Sequence, residues 1–184
     1  MIWVHPVTIE TDRLRLRRPT LEDAPALAEA YSDPEVMRYI GVGETFDVEG
    51  TRDWLGKAFR RWDADGFGHF AVERKEDGRV LGRAGFLVWD PDAWRTGTLA
   101  ELGDRGAVEL GWLLAREHWG RGYASEAALA LRDHGFAQLG FTRLISLILR
   151  GNERSERVAE KIGSRYVRDV SRDEWTARLF AVQR

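Results

Sequence analysis

Two stretches of this chain place reactive residue types at a spacing that suits chemistry. The first is Trp119-Gly120-Arg121-Gly122-Tyr123-Ala124-Ser125-Glu126-Ala127, which joins an apolar strand-like run, Val108 to Leu114, to a helix-like run reaching Phe136. Two glycines let the backbone turn tightly and keep side chains off the turn. Several N–H groups can then converge where a helix begins, which is how main chain and helix dipole hold a phosphate. A plain strand-to-helix turn built on glycine has the same sequence. The second is Glu109, a lone carboxylate in Val108-Glu109-Leu110-Gly111-Trp112-Leu113. Strand alternation places it on one face with Gly111 and Leu113. Desolvation there raises a carboxyl pKa toward that of a proton acceptor, acting directly or through water. The other reading is a structural Glu paired with one of the many arginines.

Absences narrow the chemistry. The 184 residues include no cysteine, so disulfides, thiolate metal sites and a cysteine nucleophile are excluded. The four histidines, His5, His69, His118 and His134, have no zinc-ligand spacing. No Gly-x-x-x-x-Gly-Lys-Ser/Thr and no Gly-x-Gly-x-x-Gly is present, which removes the common nucleotide-phosphate motifs. A net charge of -2 gives no support to a nucleic-acid surface held by bulk charge. With 43% hydrophobic and 32% charged residues, one globular domain spanning 1–184 is expected. The opening Met1-Ile2-Trp3-Val4-His5-Pro6 lacks a leader pattern, and no run is apolar enough to span a membrane. A cytoplasmic location is the expectation, with monomer and homodimer both open.

The elements that must position these residues are legible in outline. Residues 8–18 read as a strand, with Leu14 and Leu16 alternating with Arg13, Arg15 and Arg17, and Pro19 ends it. Thr20 is a candidate cap for a helix to about Tyr31, and Asp33-Pro34 opens a short helical piece through Ile40. Asp47 caps a helix carrying Trp54, Leu55, Phe59 and Trp62 and ending near Asp65-Gly66. A hairpin follows, 70–73 and 80–89, turned by Glu76-Asp77-Gly78. Residues 90–106 read as a long polar connection, of the kind that is often functional or mobile. Strand 107–114, helix 122–138, strand 143–149, a helix from Glu153 to Ile162, and strands 164–170 and 175–183 complete the chain. Strand, helix, strand around the glycine turn implies a right-handed crossover between parallel strands.

The glycine turn is followed by Asn152-Glu153-Arg154-Ser155 and by Val158-Ala159-Glu160-Lys161-Ile162-Gly163. This ordered set resembles the GNAT acetyltransferases, most closely the branch of the RimJ/RimL-type ribosomal-protein N-terminal acetyltransferases. Thr11-Asp12-Arg13-Leu14-Arg15-Leu16-Arg17 and Asp33-Pro34-Glu35-Val36 are similar to that branch too. Trp119 stands where the wider family often has Gln or Arg, and Ser164 follows Gly163 where an aromatic or apolar residue is usual. The resemblance implies an α/β (α+β) GNAT-like single domain, with a mixed, strongly twisted sheet of about seven strands flanked by helices. It implies acetyl-CoA as donor, with coenzyme A as product, and direct transfer to a primary amine. That amine is expected to be a protein or peptide N-terminus, with a small-molecule amine such as an antibiotic or polyamine as the alternative. A binding module that senses acyl-CoA without turnover is the reading from another class.

The resemblance also distributes roles. Backbone of Gly120, Arg121, Gly122, Tyr123 and Ala124, with Trp119, would hold the pyrophosphate. Gly111 to Leu114 would splay from the next strand and expose backbone to the pantetheine arm and thioester, which assigns Leu113 and Leu114. Asn152 would bond the pantetheine arm, and it is equally a helix cap. Lys161 would neutralise phosphate or simply face solvent. Glu109 is the first candidate for the base. Ser155 is a candidate acid for the leaving thiolate, a cofactor ligand, or a first-turn cap. Tyr39, Trp89, Trp94 and Trp112 are candidates for the acceptor cleft. Trp94 is singled out because its polar loop offers it no core.

Overall fold

The computed structural model of the chain describes residues 7–184, so the Met1–Pro6 segment read for a leader lies outside the described residues. The strand expected over 8–18 is two strands, β1 (Thr8–Glu10) and β2 (Leu14–Arg17). Thr11 makes the break. The Leu14 N–H donates to its hydroxyl at 2.9 Å and its own N–H donates to the Leu14 carbonyl, which folds β1 back on β2 with Ile9 opposite Leu16. A 3-10 turn at Leu21–Asp23 precedes helix α1 (Ala24–Tyr31). Asp23 accepts the Thr20 N–H at 2.7 Å and takes both ends of the Arg17 guanidinium. Helix α2 (Pro34–Met37) ends before Ile40; its Asp33 cap accepts from Glu35 N–H. Helix α3 (Val48–Asp65) has Asp47 as cap and stops at Gly66, whose φ of 75° only glycine adopts cheaply.

Strands β3 (His69–Arg74) and β4 (Val80–Asp90) form the expected hairpin. The connection over 90–106 is more ordered than its polarity predicts. It contains β5 (Arg95–Gly97), helix α4 (Leu99–Leu102) and a 3-10 turn, and the Leu99 N–H donates to Asp65 of α3. Trp94 does have a core, contrary to expectation. Pairing of β5 with the end of β4, Trp89 opposite Thr96, brings the Trp94 ring edge-on to Trp89 at 5.9 Å, in an apolar cluster with Ile145, Val170 and Leu179. Trp94 holds φ 51°, a costly backbone for an aromatic residue that this packing offsets. Then come β6 (Ala107–Leu114), α5 (Tyr123–Ala137), β7 (Arg143–Leu149), α6 (Glu153–Lys161), β8 (Arg165–Arg172) and β9 (Trp175–Gln183).

The strands join in one mixed sheet, ordered β1-β2-β3-β4-β6-β7-β9-β8, with β5 on β4. Nine strands replace the expected seven or so, through the Thr11 break and β5. All neighbours are antiparallel except β6 and β7, which α5 connects. Helix α5 packs Ala127, Ala128 and Leu131 on one face, against Phe86, Leu110 and Leu144. Helices α1, α2 and α3 cover part of the other face through Leu27, Met37 and Leu55, beside Ala71 and Leu113. Fully burying one such leucine stabilises by about 1.5–3 kcal/mol, so each helix is fixed mainly by the sheet face beneath it.

Candidate active site

Strands β6 and β7 touch at one register position, Glu109 opposite Ile145, and then part. Side chains take over the ladder there. Ser146 Oγ donates to the Leu110 carbonyl at 2.7 Å, and the Leu147 N–H donates to Glu109 Oε1 at 3.2 Å. Beyond this point the edge of β6 from Gly111 to Leu114 runs free of β7. Burial pushes the Glu109 carboxyl up to about 7, against the Leu147 N–H and the positive charge of Arg83, which both pull it down. Its residue surface is nevertheless partly open. Atoms crowd the carboxylate itself, which is what disfavours its charged form.

At the far end of β6 the chain makes a 3-10 turn, Arg116–His118, and enters the glycine turn. Gly120 and Gly122 have φ of 74° and 83°, and a Cβ on Gly120 would meet nothing within 4 Å. Gly122 is the N-cap of α5 and gives the helix no side-chain cap, so the first-turn N–H groups are left for a ligand. Other elements brace the turn. Trp119 Nε1 donates to the Leu114 carbonyl at 2.9 Å, and the Arg154 guanidinium lies 4.5 Å above the Trp119 ring. Arg13 donates to the Arg121 carbonyl and to Glu126, which also accepts from Thr11 at 2.6 Å. Asn152 accepts the Ser155 N–H at 3.3 Å and so caps α6.

A cleft of about 670 Å³ runs between this turn, α6 and α2. Leu113, Leu114, Trp119, Gly120, Gly122, Tyr123, Ala124, Asn152, Ser155 and Lys161 line it, as a single ligand site would require. Arg121 does not line it and is exposed. Tyr39 and Trp112, expected at the acceptor, line this cleft instead. Alternation puts Trp112 on the opposite face of β6 from Glu109 and Gly111. Sequence reasoning missed the contribution of α2 and its flank, Glu35, Val36, Arg38 and Ile40, which only the tertiary fold brings here. His118 is 4% exposed and lines the cleft as well, and burial lowers its pKa.

The Glu109 face is a second region. Across β4 and β6 the pairs are Leu87 with Glu109, Gly85 with Gly111, and Arg83 with Leu113. A Cβ at Gly111 would meet nothing within 4 Å, so the sheet surface is open there, whereas a Cβ at Gly85 would run into the backbone of Gly68 and His69. Trp89 and Trp94 pack at the Glu109 end of this face and do not line the 670 Å³ cleft.

Residues 13–165 match the family described as acetyltransferase (GNAT) domain. The chain belongs to the GNAT acetyltransferase family. It is 35% identical over 163 residues to protein YkkB of Bacillus subtilis, covering 87% of this chain and 86% of that one. It is 36% identical over 138 residues to the N-acetyltransferase p20 of Bacillus licheniformis, covering 74% and 70%. Among solved structures, an acetyltransferase from Agrobacterium tumefaciens superposes with a TM-score of 0.77 at 30% identity, covering 100% of this chain and 98% of that one. RimL, the ribosomal L7/L12 alpha-N-protein acetyltransferase, shares the fold at TM-score 0.75 and 16% identity. This GNAT protein is therefore an acetyltransferase by family. Among the described residues no acidic or histidine cluster could hold a metal, and no helix is long and apolar enough to cross a membrane.

Proposed function

We propose that this GNAT protein moves an acetyl group from acetyl-CoA to the α-amine of a peptide or amino-acid acceptor. The observation that carries this reading is Glu109, a carboxylate raised to about 7 at the point where β6 and β7 part. An α-amine has a pKa near 7.7–8.0 and is neutral about a tenth of the time at pH 7; a lysine near 10.4 is neutral about one part in a few thousand. A base near 7 matches the first and falls far short of the second.

The donor fits the cleft on the glycine-turn side. The uncapped first turn of α5 and the two left-handed glycines suit a pyrophosphate, and Arg157 and Lys161 line the same cleft. When bound, acetyl-CoA supplies a thioester acyl group: the amine nitrogen gains the acetyl carbon as its bond to sulfur breaks, and coenzyme A departs as the thiol. Glu109 takes the proton that the amine gives up. The free edge of β6 at Leu113 and Leu114 offers backbone groups to the donor, and Asn152 holds Ser155 in the wall. Ser155 is assigned to give its hydroxyl proton to the departing sulfur and to regain one from solvent, while Glu109 releases its proton to solvent.

The test is product formation with acetyl-CoA and a panel of amines: peptides with free and blocked N-termini, free amino acids, a lysine side-chain peptide, a polyamine and an aminoglycoside. Acetylation confined to α-amines supports the reading. Faster turnover of the polyamine or aminoglycoside would replace it with the small-molecule alternative.

A further inference from the structure

The open surface at Gly111 adjoins a positive cluster that has no ion pair among the described residues, with Glu109 acting on Arg83 only from a distance. Arg83 is 9% exposed, and its Nε donates to the Tyr31 hydroxyl at 2.7 Å. Its guanidinium also lies 5.3 Å over the Trp54 ring. No carboxylate among the described residues is within ion-pair distance of it. Arg61 of α3 is half-buried, donates to Thr96 Oγ1 at 3.0 Å, and likewise has no ion pair. Burial and then the charge of Arg83 lower the Arg61 pKa; Glu101 and Asp65 act on Arg61 only from a distance. His69 is 6% exposed, stacks at 5.5 Å on Trp54, and is held neutral by burial, then by Arg83 and Arg61.

A buried arginine without a carboxylate is costly, and a second arginine beside it adds repulsion. Most other arginines here solve the problem internally: Arg15 and Arg17 share Glu73, and Arg178 pairs with Glu156. The exception occurs on the face that carries Glu109, four register positions away along β4 and β6. The rows of Glu109 and Leu113 are about 13 Å apart at about 3.3 Å per residue, and both long side chains shorten that span. Arg83 faces away from the glycine-turn cleft, whose lining excludes it, so the cofactor's phosphates are not its partner.

We infer that Arg83, with Arg61 and the open surface at Gly111, forms a pocket for a carboxylate carried by the acceptor a few bonds from its amine. The acceptor is thus an acidic amino acid or a peptide beginning with one. This rests on the transfer reading above and adds the acceptor's charge to it. Two cations in the slot also disfavour a polyamine or aminoglycoside. The parallel donor-fork geometry of arginine suits a carboxylate and fixes its orientation.

Two measurements test it. The first compares kcat/KM for peptides beginning with Asp or Glu, matched peptides beginning with Asn or Gln, and free Asp and Glu. The acidic acceptors should be favoured at least tenfold in the natural protein, and Arg83→Gln should cut that ratio at least tenfold, with Arg83→Lys in between. The free-acid and peptide arms separate the two sources of the carboxylate. Equal use of acidic and neutral acceptors, or a ratio unmoved by Arg83→Gln, overturns the inference. The second is calorimetric binding of N-acetylaspartate, which needs no turnover. Binding that weakens at least tenfold in Arg61→Gln or Arg83→Gln supports the pocket even if no amine in the panel is acetylated, an outcome that would sink only the transfer reading. Absence of binding to the natural protein overturns the pocket.

Discussion

Glu109→Gln separates a base from a structural carboxylate through its pH dependence. Between pH 6 and pH 8 the ionised fraction of a group with pKa about 7 rises about tenfold. The neutral fraction of an α-amine with pKa about 7.8 rises about fortyfold over the same range. If both must be deprotonated, kcat/KM for the acceptor climbs roughly 400-fold in the natural protein. The Gln variant keeps only the amine's share, roughly fortyfold, and at pH 8 its rate should be lower by about 10²–10⁴. The assay is chromatographic quantitation of acetylated peptide at saturating acetyl-CoA, in half-unit pH steps. A stability measurement guards against simple misfolding. Because its pKa is higher folded than unfolded, Glu109 favours the fold while neutral and opposes it once ionised. The cost grows as pH rises from the ordinary value of 4.5 through about 7, reaching up to about 3 kcal/mol at pH 8 and about 1 kcal/mol at pH 5. Glu109→Gln should therefore raise Tm by roughly 6–12 °C at pH 8 and much less at pH 5. A variant with the natural pH slope and a rate within threefold of normal would refute the assignment of Glu109 as base.

Two further substitutions probe the two sides of β6. Gly122→Ala puts a side chain at φ 83° and a Cβ 3.4 Å from Arg13 Nη2; it should cost about 1–2 kcal/mol of stability and raise KM for acetyl-CoA more than KM for the acceptor, as steady-state kinetics would show. Gly111→Val fills the open space at Gly111; acceptor KM should rise at least tenfold while acetyl-CoA binding by calorimetry stays within threefold, and the reverse pattern would move the acceptor off this face.

What the sequence disclosed follows from how local each signal is. The α3 boundaries were legible because Asp47 and Gly66 act on their own neighbours. The glycine turn, Asn152 and Ser155 were legible as an ordered set, and the fold does bring them to one cleft. The Thr11 break was hidden because one hydroxyl, rather than a Gly or Pro, closes the turn. Trp94 was misread because its partners, Trp89, Ile145 and Val170, come from distant parts of the chain. Arg83 interrupts the apolar run Val80-Leu81-Gly82-Arg83-Ala84-Gly85-Phe86, yet in a chain with 28 basic residues an arginine by itself carries little signal. Only the missing carboxylate, a tertiary fact, distinguishes it.

The two ligand regions share a single strand, and the pleat explains how. Glu109 and Gly111 lie on the slot face, where Leu113 packs under α1, α2 and α3, whereas Leu110, Trp112 and Leu114 point toward α5 and α6. The free edge between them is where the donor's acyl end and the acceptor's amine would have to meet, since a closed ladder would block any contact across the sheet. Parting of β6 from β7 is therefore a requirement for transfer, and its local cost is limited because Ser146 and Glu109 satisfy the main-chain groups at the fork. Glu109 replaces a missing strand partner for Leu147, and in the proposed transfer its other oxygen takes up the proton. The Gln variant keeps the first role through its amide oxygen and loses the second, so its expected loss of rate without loss of fold follows from the fork geometry itself.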